Sequence, residues 1–330
     1  MNEIHVIVTT MSGSIKDAGK INKIKPEFEK YFPGATHVHV VDTHQQAYDE
    51  AVSLARSGAG VIISAGGAGT FNSVVRGCCD ADIDLRRLRV GFLRKGSADL
   101  IGKALGISDE VTQAVKDIAG AIETDQTMAA DIISVSAEYK STRQLQNQYI
   151  IGFGGFGIFG YIPVITENRF KKQYKGFLGY FFGDRGPFMV GALSAAIRYY
   201  ARKLFFVKNT YTLVLDGKSF KEKKYSTIML LNGDLGKHFP LAPGMPLGDG
   251  YFKIVALEDK GFFSFVRQFK ECWQGNIQAD GVDSFMAKEM EITQHGPGAF
   301  WINIDGLGKK VNGTVRCSVI DRLLLLSARK

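Results

Sequence analysis

The chain has 330 residues, 45% of them hydrophobic and 22% charged, which is the composition of a globular protein with room for two domains. Its formal net charge of +8 favours anionic partners such as nucleotides or anionic lipid surfaces. The basic residues are scattered and form no arginine-rich tail, zinc-finger spacing or RNA-binding signature, which argues against nucleic acid as the partner.

Three further features bear on the location of the protein. No apolar run reaches the ~18 residues of a membrane span, and the first residues lack the long apolar core of a signal peptide. The four cysteines have neither metal spacing nor the pattern of a disulfide framework. We therefore predict reduced thiols in a cytoplasmic protein, with any membrane contact peripheral and at the inner face.

Short apolar runs alternate with helical patterns along the first 130 residues. Strands are predicted in IHVIVTT, THVHVVDT, GVIISAGGAGT and LRVGFLRKGS. Helices are predicted in QQAYDEAVSLARSG, in DEVTQAVKDIAGAIE and in the lysine-bearing segment after MSGS. This alternation predicts an α/β domain with a parallel, doubly wound sheet, whose ligands bind at the carboxyl ends of the strands.

Antiparallel β structure is predicted after about residue 130. Strands bounded by turn signals recur there, with helices at Met189–Lys203 and around Phe262–Trp273 and with hairpins in the tail. We therefore expect a first domain at 1–130, joined by a tail at about 322–330, and a β-rich domain at 131–321. The segment GFGGFG, Gly152–Gly157, matches a dinucleotide pattern, but IFGYIP after it is a poor helix. Glycines for tight packing or a turn are the preferred interpretation.

Two local signals concern ligands. His37 and His39 alternate on one strand face, but no third ligand is indicated nearby, so surface or core histidines are preferred and no metal site is predicted. At Gly66–Thr70, glycines follow a β-branched run and precede a helical pattern, which is the layout of a phosphate-binding turn. The turn contains no acid and no P-loop lysine, so a purely structural turn remains the alternative.

Five segments in chain order then match the motifs of one family. Thr9–Gly13 stands where the family has Asn-Pro-x-Ser-Gly, and Gly66–Thr70 stands where it has Gly-Gly-Asp-Gly-Thr. The strand-Thr-helix pattern from Val40 leads into the Gly66–Thr70 turn and belongs to the same segment. The other three matches are Gly96–Ile107, the turn and strand at Leu241–Leu257, and Ile302–Gly308 at the family's Asp-Gly-Glu motif. The chain resembles the diacylglycerol kinase catalytic family, which includes bacterial lipid kinases and the sphingosine and ceramide kinases.

The resemblance implies an α/β nucleotide domain, a β-sandwich-like lipid-substrate domain, an active site in the cleft between them, and ATP as the phosphate donor. It implies Asp305 as general base on the lipid hydroxyl. The nucleotide-binding residues expected from the resemblance, together with the neighbouring cations Arg94 and Lys95, are Thr9, Ser12, Gly13, Thr43, Gly66, Gly67, Gly69, Thr70, Arg94, Lys95, Gly96 and Ser97.

The departures from the family pattern concern its acids. Ala68, Leu100 and Leu307 replace two aspartates and a glutamate, and Asp99 is displaced by one position, which turns a helical side chain by ~100°. Mg²⁺ is expected for the family and needs oxygen ligands, so its usual site is predicted to be lost. Arg94 and Lys95 replace an apolar Pro-Leu pair. The hypothesis is that these two cations bind the anionic ligand in place of the metal, and the alternative is that they point to solvent.

Two segments mix basic and aromatic residues, 168–188 and 261–273. This mixture predicts docking at an anionic membrane surface, and the alternative is that the aromatic residues belong to the core under a solvated basic rim.

Two functions remain open. One is a divergent lipid kinase that phosphorylates a lipid hydroxyl of diacylglycerol, ceramide or sphingoid type. The other is a kinase-fold protein that binds nucleotide or phospholipid without turnover. A nicotinamide-dependent oxidoreductase is a distant third.

Overall fold

The parallel sheet predicted for the first part of the chain is confirmed in the computed structural model. The structure describes residues 3–10, 18–94, 100–139, 145–166, 186–205, 210–220, 224–237, 239–295 and 298–329. Four strands lie in the order β2-β1-β3-β4. The last residues of the final strand, β15, run parallel to β4, with Leu324 opposite Arg89. The strands are β1 (Ile4–Thr9), β2 (Thr36–Val41), β3 (Val61–Gly66), β4 (Arg89–Arg94) and β15 (Leu307–Leu326).

Helices cover this sheet because its inner strands β1 and β3 are largely apolar and buried on both faces. The helices are α1 (Ala18–Glu29), α2 (His44–Arg56), α3 (Ala68–Asp80), α4 (Leu100–Ala104) and α5 (Val111–Glu123), with a 3₁₀ turn at Leu85–Arg87. α1 packs beside α5, and α2 packs beside α3. All six residues of β3 are buried, as expected for a central parallel strand between two helical layers. The chain divides into two compact units, and this first unit comprises Met1–Ile132 and Asp321–Lys330.

The second unit, Ile133–Ile320, is built on antiparallel strands, as predicted. Its strands are β5 (Thr127–Tyr139), β6 (Leu145–Ile150), β7 (Phe153–Gly157), β8 (Thr210–Leu215), β9 (Lys218–Phe220), β10 (Tyr225–Leu231), β11 (Phe252–Glu258), β12 (Val282–Ala287), β13 (Glu289–His295), β14 (Phe300–Ile304) and most of β15. One path runs β12-β11-β10-β7-β14-β15, while β13 lies between β15 and β8. Alternate residues of these strands, such as Phe252, Ile254 and Ala256, form one apolar core.

Three helices belong to this unit: α6 (Ile158–Thr166), α7 (Gly186–Phe205) and α8 (Phe262–Trp273). α6 corrects the sequence analysis, in which IFGYIP was a poor helix because of its glycine and proline. Tertiary contacts override that local preference. The side chains of Ile158, Phe159 and Ile162 are buried, and the Phe159 N–H in the first turn donates to Thr227 Oγ1 at 2.9 Å.

The glycines of the GFGGFG segment are packing glycines, as the sequence analysis preferred. β7 is hydrogen-bonded to antiparallel strands on both sides. A Cβ atom at Gly155 would lie 2.3 Å from the Ile228 carbonyl oxygen, and one at Gly157 would lie 2.3 Å from the Ser226 carbonyl oxygen. The strand therefore approaches β10 too closely for any side chain at these positions.

A histidine cluster that the sequence analysis missed lies on β1 and β2. The parallel register places His5 opposite His37, and His5 Nδ1 lies 3.2 Å from His39 Nε2. His39 also contacts Glu50 at 2.8 Å, and Glu3 lies 3.8 Å from His5. Burial, followed by the charges of His39 and His37, lowers the pKa of His5 from 6.5. The third histidine escaped notice because it comes from another strand.

The depressed pKa predicts a loss of stability in mild acid. His5 is neutral in the folded protein at a pH where the unfolded chain already binds a proton, so its contribution is complete above about pH 6.5 and declines as the pH falls below that value. Urea unfolding at about pH 7.5 and about pH 5.5 should show the difference. His5→Gln should reduce this pH dependence, whereas exposed His295→Gln should retain it. Equal pH dependence in His5→Gln and the wild type would contradict the assignment.

Candidate active site

The carboxyl ends of the parallel strands bring several of the predicted nucleotide-binding residues to one edge of the first unit's sheet. Thr9 ends β1 opposite Val41 of β2, and Gly66 ends β3 opposite Arg94 of β4. Thr43 is the second residue after β2. Since the carboxyl edge of a parallel sheet is where α/β folds bind ligands, this edge is the candidate nucleotide site.

The turn between β3 and α3 has its shape set by side-chain packing. A Cβ atom at Gly66 would lie 2.4 Å from Thr70 Oγ1, so only glycine fits against this threonine. Thr70 Oγ1 lies 2.7 Å from Thr9 Oγ1, and both threonines are fully buried. The two hydroxyls therefore hold the turn against β1 and secure its backbone.

The helix that follows the turn, α3, begins with backbone N–H groups that no N-cap side chain caps. Gly67 is the N-cap of the 13-residue α3 and supplies no side-chain cap, and the first turn contains no acidic residue. The first N–H groups of a helix have no intrahelical acceptor, and the helix dipole adds partial positive charge there. Gly69, within this first turn, has no side chain to obstruct an anion. Backbone N–H groups are thus the phosphate ligands that this turn offers.

Thr43 has a local structural role. Its hydroxyl accepts the Gln46 N–H at 3.1 Å, while Gln46 Oε1 accepts the Thr43 N–H at 3.0 Å, which forms a capping box at the start of α2. The sequence analysis did not single out Asp42, whose carboxylate accepts the Thr10 hydroxyl at 2.9 Å on the same edge. Its position immediately after β2 was the available signal.

The hollow beside β2 and α2 does not suit a phosphate group. It is lined by Val40, Val41, Asp42, Gln46, Asp49 and Glu50. The carboxylates of Asp42, Asp49 and Glu50 repel a phosphate group because all carry negative charge. Within the first unit, the end of β3 is therefore the better place for nucleotide phosphates than the end of β2.

Some predicted residues cannot be located on this edge. Ser12, Gly13, Lys95, Gly96 and Ser97 lie outside the described residues. For Arg94 the backbone position at the end of β4 is described and its side chain is not. The pairing of two cations at 94 and 95 therefore remains a prediction.

The positions where the family carries acids do not fit a magnesium ion. Ala68 is the first residue of α3, Leu100 is the first residue of α4, and Leu307 is the first residue of β15. None of these side chains has an oxygen atom, which is the ligand that Mg²⁺ requires. Over the part of the chain that the structure describes, no group of three histidine, cysteine or acidic side chains is arranged to hold a metal ion.

Asp305 lies in the second unit, in the turn that joins β14 to β15. Asp305 and Gly306 both have positive φ angles, 46° and 87°, between the paired residues Ile304 and Leu307. Asp-Gly is the preferred sequence for a two-residue hairpin turn in which both central residues have positive φ. The Gly306 N–H donates to Asn303 Oδ1 at 2.8 Å, which closes the turn.

The Asp305 carboxylate is buried and serves as a backbone acceptor. The residue is 1% exposed, and its oxygens accept the N–H groups of Ile151, Gly152 and Phe153, each at 2.9 Å. Its own N–H donates to the Phe153 carbonyl at 2.9 Å. A carboxylate offers about four acceptor positions, and at least three are used here. This side chain joins the β14–β15 turn to the β6–β7 turn, a role that the sequence analysis did not foresee.

The loop after β10 completes this corner of the second unit. Asn232 Nδ2 donates to the Ile151 carbonyl at 2.8 Å. Asp234 accepts the N–H groups of Gly236 at 2.7 Å and Gly244 at 2.9 Å, and so holds the segment in which the Ala-Pro motif lies. The sequence analysis singled out neither Asn232, which directly follows the buried strand β10, nor Asp234 two residues later, although turn-forming side chains are expected there.

Comparisons with known proteins identify the family that the first part of the chain resembles. The family model for the diacylglycerol kinase catalytic domain matches residues 3–135. A diacylglycerol kinase of Bacillus subtilis (strain 168) is 27% identical over 207 residues, which cover 63% of this chain and 58% of the relative. A diacylglycerol kinase of Staphylococcus aureus (strain JH9) is 24% identical over 198 residues, which cover 60% and 52%. The match thus spans little more than half of these relatives.

The fold extends further than the sequence match. A crystal structure of a diacylglycerol kinase from Bacillus anthracis str. Sterne has a TM-score of 0.68 with this chain at 17% identity, over 99% of this chain and 97% of the other. At that identity the likeness concerns the fold alone, and both units take part in it. The resemblance predicted from the five motifs is confirmed over residues 3–135, which match the family model of the diacylglycerol kinase catalytic domain.

Proposed function

We propose that the protein is a divergent lipid kinase. In this proposal the first unit is the nucleotide domain and the second is the lipid-substrate domain. The γ-phosphate of ATP is transferred to the hydroxyl of a diacylglycerol-like or sphingoid-like lipid, and the protein works in the cytoplasm or at the inner face of the membrane. The observation that supports it best is the β3–α3 turn, where the packing of Gly66 on Thr70 and the contact of Thr70 with Thr9 of β1 preserve a backbone shape suited to phosphate although the neighbouring acids are gone.

The reaction assigns each group a simple task. The lipid oxygen forms a bond to the γ-phosphorus, the bond from that phosphorus to the β–γ bridging oxygen breaks, and ADP leaves with the electron pair. The hydroxyl proton passes to a base, for which Asp305 is the family's candidate. Phosphate charge is balanced by the α3 N-terminus and, in this proposal, by Arg94 and Lys95.

A second candidate function is binding without turnover. It is favoured by the loss of all three acids at 68, 100 and 307 and by the engagement of the Asp305 carboxylate with three backbone N–H groups. Such a protein would retain a nucleotide or phospholipid but would lack both a metal site and a freely available base.

We expect Arg94→Ala combined with Lys95→Ala to weaken ATP binding by about tenfold or more, because two cations beside the phosphates are removed. Calorimetric titration measures the affinity, and transfer of labelled phosphate to diacylglycerol, ceramide and sphingoid bases measures turnover. The matched control is Arg86→Ala with Arg87→Ala, which removes two exposed cations at the opposite end of β4 and should leave the affinity unchanged.

The outcomes separate the two functions. Transfer to one of the lipids supports the kinase, and ATP binding without transfer supports the second candidate. Equal ATP affinity in the two double variants would remove Arg94 and Lys95 from the site. Failure of the wild type both to bind ATP and to transfer phosphate would overturn the proposed function.

A further inference from the structure

Helix α7 in the second unit exposes a row of large apolar side chains. Leu193 is 45% exposed, Ile197 is 54% exposed and Leu204 is 82% exposed. Their spacing of four and seven residues places them on one face of the helix, and the exposed Ala201 falls on the same face. The opposite side of the helix is buried through Ala192, Ala195 and Ala196. An outward apolar row on a helix that already packs by its other face is not needed for folding.

Helix α8 continues this apolar surface. Phe263 in its first turn is 86% exposed, and Val266 one turn later is 39% exposed. The two helices are in contact through aromatic rings. The ring centroid of Tyr200 on α7 lies 6.0 Å from that of Phe262 on α8, and the Phe262 centroid lies 5.6 Å from that of Phe263. We call the surface formed by Leu193, Ile197, Leu204, Phe263 and Val266 the apolar face.

The charges that border the apolar face are predominantly positive. The 20 residues of α7 contain no acid, and its exposed Arg198 directly follows Ile197 of the outward row, with its guanidinium 5.1 Å from the centre of the Tyr161 ring. Lys203, beside Leu204, is paired with Asp259 at 2.6 Å. On α8, Arg267 and Lys270 are exposed on the same side as Phe263. Of these cations, Arg267 lies 2.7 Å from Asp280 and is partly neutralised. An apolar surface rimmed by cations is complementary to a bilayer whose head groups are anionic.

We propose that the apolar face docks the protein on the surface of an anionic membrane, with the apolar side chains among the acyl chains and the cations at the head groups. The proposal rests on the proposed function in one respect, since a lipid substrate would be reached at such a surface. The described helices are too short or too polar to cross a bilayer, so the contact is interfacial. Single exposed leucines are ordinary on protein surfaces, but a row on one helix joined to an exposed phenylalanine on the next is not.

Vesicle sedimentation tests this surface. Vesicles of phosphatidylcholine with about one third phosphatidylglycerol should bind the wild type, and pure phosphatidylcholine should bind it less. Ile197→Gln with Leu204→Gln should lower the partition coefficient by about tenfold or more, since two apolar side chains no longer enter the bilayer. The matched control is Val40→Gln with Ile320→Gln, two exposed residues outside the apolar face, and it should bind as the wild type does.

Three results would overturn the proposal: no vesicle binding by the wild type, equal binding by the Ile197/Leu204 variant, or equal loss in the control. Sedimentation velocity without lipid tests whether a second copy of the chain occupies the apolar face instead, because a wild-type dimer that the Ile197/Leu204 variant disrupts would assign the face to that second copy.

ATP titration of the same variants distinguishes failure of the docking surface from failure of the proposed kinase function. Loss of vesicle binding with unchanged ATP affinity supports the docking surface, and absence of ATP binding affects only the proposed function.

Discussion

Asp305→Asn is expected to destabilise the protein by about 3 kcal/mol, although the substitution only replaces one carboxylate oxygen with an NH₂ group. Oδ1 accepts two backbone N–H groups and Oδ2 accepts a third. Whichever way the asparagine amide is turned, its NH₂ group faces at least one of these donors, and a buried N–H group loses its acceptor. Asparagine tolerates a positive φ angle, so backbone strain does not contribute. The measurement is the free energy of unfolding from urea titration.

Asp216→Asn is the matched control for this prediction. Asp216 precedes a glycine in a tight turn and has a φ of 45°, as Asp305 does at 46°. It is exposed, and both of its backbone donors, Lys288 N–H and Glu289 N–H, bond to the same oxygen, Oδ1. The asparagine carbonyl can replace that oxygen, so the loss should be below about 1 kcal/mol. Equal stability of Asp305→Asn and the wild type would contradict the structural role of Asp305.

The same measurement decides how a loss of activity at Asp305 is interpreted. A variant that keeps its stability and loses phosphate transfer would place Asp305 in the chemistry as the base. A variant that loses both would place it in the support of the turns at 151–153 and 305–306. Transfer assays on Asp305 variants are therefore informative only beside an unfolding curve.

The second large effect is expected from restoring the family's acids. Ala68→Asp, Leu100→Asp and Leu307→Glu together should raise Mg²⁺-dependent phosphate transfer by about a hundredfold or more, because a bound metal ion supplies several kcal/mol of charge stabilisation in the transition state. Each single substitution should have little effect, since one carboxylate is a poor magnesium site. Initial rates with and without Mg²⁺ provide the measurement.

ATP affinity in the absence of metal gives an independent readout for this variant. The three carboxylates add negative charge near the nucleotide site, so the triple variant without Mg²⁺ should bind ATP more weakly than the wild type. Addition of Mg²⁺ should reverse that difference. A triple variant whose ATP affinity does not respond to Mg²⁺ would show that more than the three acids has been lost.

Many of the elements of the fold were predictable from the sequence, because the signals that define them are local. β-branched runs such as Val61–Ile63 indicated buried parallel strands, and α8 at Phe262–Trp273 was predicted at its observed bounds from its helical spacing. The Gly66–Thr70 turn was identified from its glycines. Local signals failed at α6, where burial against Thr227 and neighbouring strands stabilises a helix that contains Pro163.

The sequence by itself determined the resemblance to the diacylglycerol kinase catalytic family, the alternation of strands and helices over the first 130 residues, and the replacement of the acids by Ala68, Leu100 and Leu307, since these follow from residue identity and from spacing along the chain. Only the tertiary structure decided what the remaining polar groups contact. It placed His5 beside His37 and His39, joined Thr9 to Thr70, and directed the Asp305 carboxylate onto backbone N–H groups 152 or more positions away in the chain. The physical reason is that hydrogen bonding and burial depend on distance in space, and strand pairing brings together residues that no local pattern connects.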